Sequence, residues 1–549
     1  MGHSETPDAQ FQRASALHLQ GQVGAARELY EQVLAREPRH VEALHLLGVA
    51  HAQARQFEQA VALLHQALAI DPSHASASAN LAAVLQGWEQ YRAEASDTPL
   101  DADGHIQRGI AQRKAGRWAV ALSHFEQAIE LAPGSAQAHN LRGVALRGLR
   151  RNDDALHSFE AALDLDPAYA VAWSNKGNAL SELGRTAEAL ASYARALELN
   201  PEFPDAWNNR GLALLTQHHV DQARVSYARA IAGDPGYAQA HWNLALCDLL
   251  AGEFESGWKG YEWRWKCPDF PSPPRHFAKR QWQGEALQGQ TVLVHAEQGL
   301  GDTLQFCRYA SLVRRRGGRV VLEVQPPLRQ VLASLDGPDE VIAAGSPLPP
   351  FDLHCPMLSL PLACAMREDS IPSPGGYLAS APEQRGVWAG RLGVRAGPRV
   401  GLVWAGNATN PRDAHRSVPL ALLLAALPAG PQYVSLQKEL RPGDAQTLQA
   451  HPHVLPLGHQ LQDFADTAAV CDLMDLVISV DTSVAHLAGA LGRPVWVLLP
   501  FTPDWRWQLG RRDSPWYAHA RLFRQSAPRE WAPALSQLRC ELETHLASL

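Results

Sequence analysis

The chain has 549 residues, 46% hydrophobic and 19% charged, with a net charge of -7, which predicts several domains of ordinary globular composition. No long basic run occurs, which argues against nucleic acid or an anionic membrane surface as a partner. Seven cysteines without a CxxC spacing fit a reducing compartment. The first 30 residues carry no apolar signal segment and no run of about 18 apolar residues predicts a membrane span, so a cytoplasmic location is expected.

The first predicted elements repeat. Pro38 and Pro72 are 34 residues apart, and Pro133, Pro167, Pro201 and Pro235 follow at the same interval. Glycine stands 24 residues before the prolines (Gly48, Gly109, Gly143, Gly177, Gly211), and alanine 12 before (Ala26, Ala60, Ala121, Ala155, Ala189, Ala223). An aromatic often stands 8 before (Tyr30, Phe125, Phe159, Tyr193, Tyr227). Over residues 5–266 this pattern resembles the tetratricopeptide repeat. Small residues let two antiparallel helices approach, the aromatic fills the gap, and proline stops the second helix.

The phase breaks once, between Pro72 and Pro133, where 61 residues replace 68. A first helix with a degenerate partner, then a looser connection around 93–101, is expected there. The last unit gathers Trp258, Tyr261, Trp263 and Trp265, which predicts docking onto a neighbour ahead of an aromatic sugar-binding patch. Asn80, Asn175, Asn209 and Asn243 share one repeat position on first helices. They form either a ladder for an extended acceptor peptide or bonds to a neighbouring repeat, since an amide both donates and accepts.

After a Pro-rich linker over 267–289, the periodicity changes. "TVLVHA", "RVVLEV", "VGLVWAG", "QYVSLQ", "LVISVD" and "PVWVLLP" are short β-rich runs separated by helical stretches. They predict two doubly wound α/β domains, 290–395 and 396–549, with ligands beyond the carboxyl ends of the strands. The turn Gly299-Leu-Gly301-Asp302-Thr-Leu304 lacks the third glycine of a dinucleotide fingerprint. Its acid would also oppose a pyrophosphate, although Glu323 stands at a suitable distance for a ribose. A carboxylate at a strand end suits a general base better, against the plainer reading that Asp302 caps the following helix. Asp481, Thr482 and Ser483 sit where a strand enters a helix, a natural diphosphate site, with His486 one turn further on. Capping by Asp481 and Thr482, and a buried structural His486, is the plainer reading there. Asn407, Arg416 and Lys438 lie near other strand ends. Trp505 and Trp507 are read as packing rather than base stacking. "DAD" at 101–103 opens a repeat helix and is not a metal motif, and no metal-ligand spacing occurs among the 24 histidines.

The segments "EQGLGDTLQF", "RSVPL" and "SVDTSVAHLAGALGRPVWVLLPFTPDW" resemble the ADP-heptose:lipopolysaccharide heptosyltransferase family. Joined to the repeats, they look like bacterial repeat-containing glycosyltransferases and, in architecture, protein O-GlcNAc transferases. The resemblance implies an all-α tetratricopeptide superhelix followed by two facing Rossmann-like domains of glycosyltransferase B fold, acceptor side first and donor side second. It implies inverting, metal-independent transfer from a nucleotide-sugar, with no further cofactor. Asp302 would be the base and Glu297 its fallback. Gly301, Asn407, Arg416, Lys438, Asp481, Thr482, Ser483 and His486 would line the donor site, Arg416 standing where the family carries lysine. A protein acceptor in the repeat groove is expected, and the array also offers self-association. The competing expectation is a non-catalytic repeat scaffold whose α/β half is a relic.

Overall fold

A computed structural model describes residues 6–19, 21–94, 100–372, 375–410 and 413–548. They divide into two compact units between Leu165 and Asp166.

The first unit is helical, running from Pro7–Leu19 to Asn152–Leu165 in antiparallel hairpins. The repeat residues do what their sizes suggest. A Cβ added at Gly109 would lie 2.4 Å from the Phe125 ring, and one at Gly143 would lie 2.5 Å from Phe159. Ala26, Ala60, Ala121 and Ala155 are fully buried. The phase break coincides with a longer helix, Ala75–Glu94. The connection expected around 93–101 falls largely on residues 95–99, outside the described residues. Asp101 caps the helix Ala102–Lys114, accepting from the Gly104 N–H at 2.8 Å.

The second unit opens with three more hairpins, the last being Ala238–Ala251 with Phe254–Tyr261. A single 3₁₀ turn, Glu262–Lys266, follows. Two parallel sheets come next. The first holds β1 (Thr291–His295), β2 (Arg319–Val324), β3 (Glu340–Ala343) and β4 (Leu353–Pro356), in the order β3-β2-β1-β4. The second holds β5 (Arg399–Val403), β6 (Gln432–Ser435), β7 (Val454–Pro456), β8 (Leu476–Val480), β9 (Val495–Leu499) and β10 (Ala520–Arg524), in the order β10-β9-β8-β5-β6-β7. Counted within the sheet this order is 6-5-4-1-2-3, so the winding reverses between β5 and β8.

The segment 267–289 is anchored. Trp282 is fully buried, and its backbone N–H donates to the His354 carbonyl of β4 at 2.8 Å. The helix Pro382–Leu392 packs on Phe464–Asp472, where the Trp388 indole donates to Asp466 at 2.8 Å. Among the described residues no helix is long and apolar enough to cross a membrane.

Candidate functional site

Parallel strands direct every following loop to the same edge of a sheet, so the loops after β1, β5, β8 and β9 carry the residues of interest. After β1 the chain turns through Gln298 at φ +60, a conformation rare outside glycine. Three bonds hold that turn. The Gln298 N–H donates to Ser272 Oγ at 2.8 Å, its amide donates to the Tyr261 hydroxyl at 2.9 Å, and the Gln325 amide donates to its carbonyl at 3.3 Å. The helix Leu300–Phe306 then begins. Asp302 accepts from the Gly299 N–H at 2.7 Å, so the capping role is realised, and its other oxygen pairs with Arg506. The carboxylate is 17% exposed, so it still reaches solvent. Burial raises its pKa above the usual carboxylate value, against the pull of Arg506.

Gly301 is where the two sheets' loops meet. A Cβ there would lie 2.8 Å from His486 Cδ2 and 3.6 Å from the Ser483 Cα. Only glycine lets the helix carrying Asp302 come this close to the start of the helix Ser483–Ala490. Thr482 is the N-cap of that helix, but its side chain makes no bond to the first-turn amides. Its hydroxyl lies 3.0 Å from Ser479 Oγ instead. His486 is buried, with Nδ1 2.9 Å from the Tyr517 hydroxyl, Nε2 3.8 Å from Asp481, and its ring stacked on Trp507 at 5.5 Å. Burial and the Arg506 charge push its pKa down to about 3, so it is neutral at physiological pH. Burial and nearby Asp504 push Asp481 up to about 6.

Arg506 is the hub that sequence reasoning missed. It pairs with Asp302, reaches Asp504 at 2.8 Å, and donates through Nε to Gln305 at 2.7 Å. It follows Trp505 in a stretch read only for its tryptophans. Both of these pack: Trp505 lies in the aromatic cluster with Trp258 and Phe306, and Trp507 lies under His486.

Arg416 links the chain after β5 to the end of β8, donating from Nη1 to the Asp481 carbonyl at 2.9 Å. Asp413 holds it at 3.1 Å and also pairs with Arg441, a second cation that no motif had signalled. Gly406 leaves room for them, since a Cβ there would meet Arg416 Nη2 at 2.3 Å. Lys438 is exposed and donates to the Gln462 carbonyl at 3.1 Å. Asn407 is exposed and closes its own turn, accepting from the Thr409 N–H at 2.9 Å.

Glu297 lies elsewhere in the chemistry. It is buried, accepts from Arg264 at 2.8 and 3.0 Å and from the Leu358 N–H at 3.0 Å, and so joins the last repeat to the first sheet. Arg264 is fully buried and also donates to Glu262 at 2.7 Å and Ser359 at 2.8 Å. Trp258 and Tyr261 dock as expected, Trp258 meeting Trp505 edge-on at 5.3 Å. Trp263 stacks instead on His241 of its own repeat at 3.7 Å, and Trp265 meets Phe270 at 5.3 Å.

The asparagines are partnered. Asn80 lies 2.8 Å from His45 Nε2. The Asn243 amide donates to Asn208 of the preceding repeat at 2.9 Å, and Asn208 donates to Asn209 at 3.3 Å. Asn175 is half-buried and also engaged.

The family models bear on the helical part. Tetratricopeptide-repeat family models match residues 17–85, 106–170, 158–191, 177–217 and 209–256, and these residues carry that repeat. Protein FlbA of Caulobacter vibrioides is 26% identical over 328 residues, 55% of this chain and 54% of FlbA. The human FK506-binding protein-like is 42% identical over 73 residues, 13% of this chain and 21% of that protein. The chain thus spans about half the length of the first relative and a fifth of the second. The crystal structure of MamA, 22% identical, covers 28% of this chain and 91% of its own, with a TM-score of 0.26.

Proposed function

We propose that the α/β half is an inverting, metal-independent glycosyltransferase of glycosyltransferase B fold, with two facing Rossmann-like domains. In this reading the repeats present a protein acceptor. The observation that carries it is the close approach at Gly301, which sets Asp302 beside the start of the helix Ser483–Ala490. A helix start favours a diphosphate through its free N–H groups and dipole, and Thr482 leaves its own helix uncapped. Arg416 and Arg441 lie at the neighbouring strand end, fixed by Asp413, and forked guanidinium donors suit phosphate oxygens.

Transfer then needs one displacement. The acceptor hydroxyl gives its proton to Asp302 as its oxygen bonds the anomeric carbon, and the bond from that carbon to the diphosphate breaks. The nucleoside diphosphate leaves with the electron pair. A carboxylate with a raised pKa is the better proton acceptor, and burial supplies that rise. Arg506 must yield part of its hold on Asp302 as the acceptor arrives.

The second reading, a non-catalytic repeat scaffold, draws on one observation. Both Asp302 oxygens already have partners inside the protein. The two readings part in a melting-temperature screen against UDP-, GDP-, ADP-, dTDP- and CMP-sugars, because a ligand of the native state raises Tm once it exceeds its Kd. The expected result is a rise with one nucleotide. Asp302→Asn should keep that rise and abolish transfer. No rise at millimolar ligand with folded protein would favour the scaffold.

A further inference from the structure

In the first unit, two consecutive repeats bring three ligand-type side chains together. Glu42 and His45 stand one turn apart on the helix Val41–Gln53, and His74 precedes the helix Ala75–Glu94. His74 Nε2 lies 3.0 Å from Glu42 Oε1, and His45 Nδ1 lies 3.6 Å from Glu42 Oε2. One ligand atom from each residue falls within 4.8 Å of the others. Ligand atoms around a tetrahedral zinc, bonded at about 2.0–2.2 Å, stand roughly 3.3–3.6 Å apart, so both pairs that include Glu42 are already near that spacing and the histidine pair must close in on binding.

We propose that Glu42, His45 and His74 bind a divalent transition metal that clips one repeat to the next. Two imidazoles and one carboxylate form a donor set for zinc and its neighbours rather than for magnesium or calcium. His45 is 5% exposed, and its Nδ1, turned toward Glu42, is buried with no hydrogen-bond partner. Asn80 supplies the outer contact that metal-bound histidines use, at 2.8 Å from His45 Nε2. Turning the Asn80 amide over lets its oxygen accept the Nε2 proton once the metal takes Nδ1. At His74 the metal takes Nε2, and the long 3.3 Å bond from the Ala77 N–H to Nδ1 gives way. Glu42 is exposed, so a fourth position faces solvent and can take water or a side chain from another molecule.

His40 and His74 occupy the same repeat position and cap their helices in the same way. Only the second has Glu42 and His45 beneath it, so among the described residues the repeat geometry creates the site once.

The test uses the full chain, stripped with EDTA and titrated with zinc or cobalt. Expected are one site of micromolar or tighter affinity, a cobalt absorption band in the visible, and a metal-dependent rise in Tm. His45→Gln with His74→Gln should weaken binding about tenfold or more. Glu42→Gln, a change at an exposed position, should also weaken it without touching the fold. His105→Gln with His124→Gln alters another close histidine pair, whose Nδ1 atoms are 3.2 Å apart, and should leave binding unchanged. Binding no tighter than millimolar would overturn the proposal. So would binding that survives both the Glu42 and the His45/His74 substitutions, or that is lost only with the His105/His124 pair.

Discussion

Asp302 and Asp481 are both carboxyls at helix starts, yet their surroundings differ. Asp302 has Arg506 and a backbone N–H to receive its charge. Asp481 has Asp504 near it, and burial with that neighbour sets its pKa at about 6. The unfolded chain releases this proton at about 3.9, so between those values the native state binds more protons and stability falls as pH rises. The full cost, on the order of 2–3 kcal/mol, is present above pH 6. Asp481→Asn removes it. The Tm gain of this variant over the parent should therefore be larger above pH 7 than at pH 5, and a gain equal at both would refute the assignment.

Repeat hairpins owe their spacing to glycine facing an aromatic ring. At Gly211 an added Cβ would lie 2.6 Å from the Tyr227 ring, whereas at Gly386, in the helix Pro382–Leu392, nothing lies within 4 Å. Both changes to alanine gain helix propensity, worth about 1 kcal/mol. Only Gly211→Ala also forces two packed helices apart, at a cost of about 1–3 kcal/mol. Thermal melts should show Gly386→Ala raising Tm and Gly211→Ala lowering it.

The second unit is held as one body by its last repeat. Trp258 and Tyr261 bury against Phe306 and Trp505, and Arg264 reaches Glu297 and Ser359. Removing one partner of a buried ion pair leaves a charge uncompensated and costs about 3–5 kcal/mol, while replacing both is far milder. Arg264→Met should therefore lower Tm strongly and expose 267–289 to protease. Arg264→Met with Glu297→Gln should recover much of the loss. If the double variant were as unstable as the single one, the pair would not be what couples repeat and sheet.

Periodicity alone determined the repeats, because a 34-residue spacing of proline, glycine, alanine and aromatic describes one helical hairpin packed on the next. It also determined the six interior strands β1, β2, β5, β6, β8 and β9, whose near-continuous apolar runs follow from burial on both faces. The four strands it left out, β3, β4, β7 and β10, are the sheet edges, short segments with too few apolar residues to stand out. For the candidate site, Asp302, Asp481, Thr482 and His486 were legible because each follows a strand at a helix start. Tertiary structure decided the rest. Arg506, Arg441 and the Arg264 partner of Glu297 meet their acids across 28 to 204 residues of chain, and Glu42, His45 and His74 meet only when one repeat stacks on another. Local pattern records what a residue needs from its own helix or strand. Which distant charge neutralises it depends on how those elements pack.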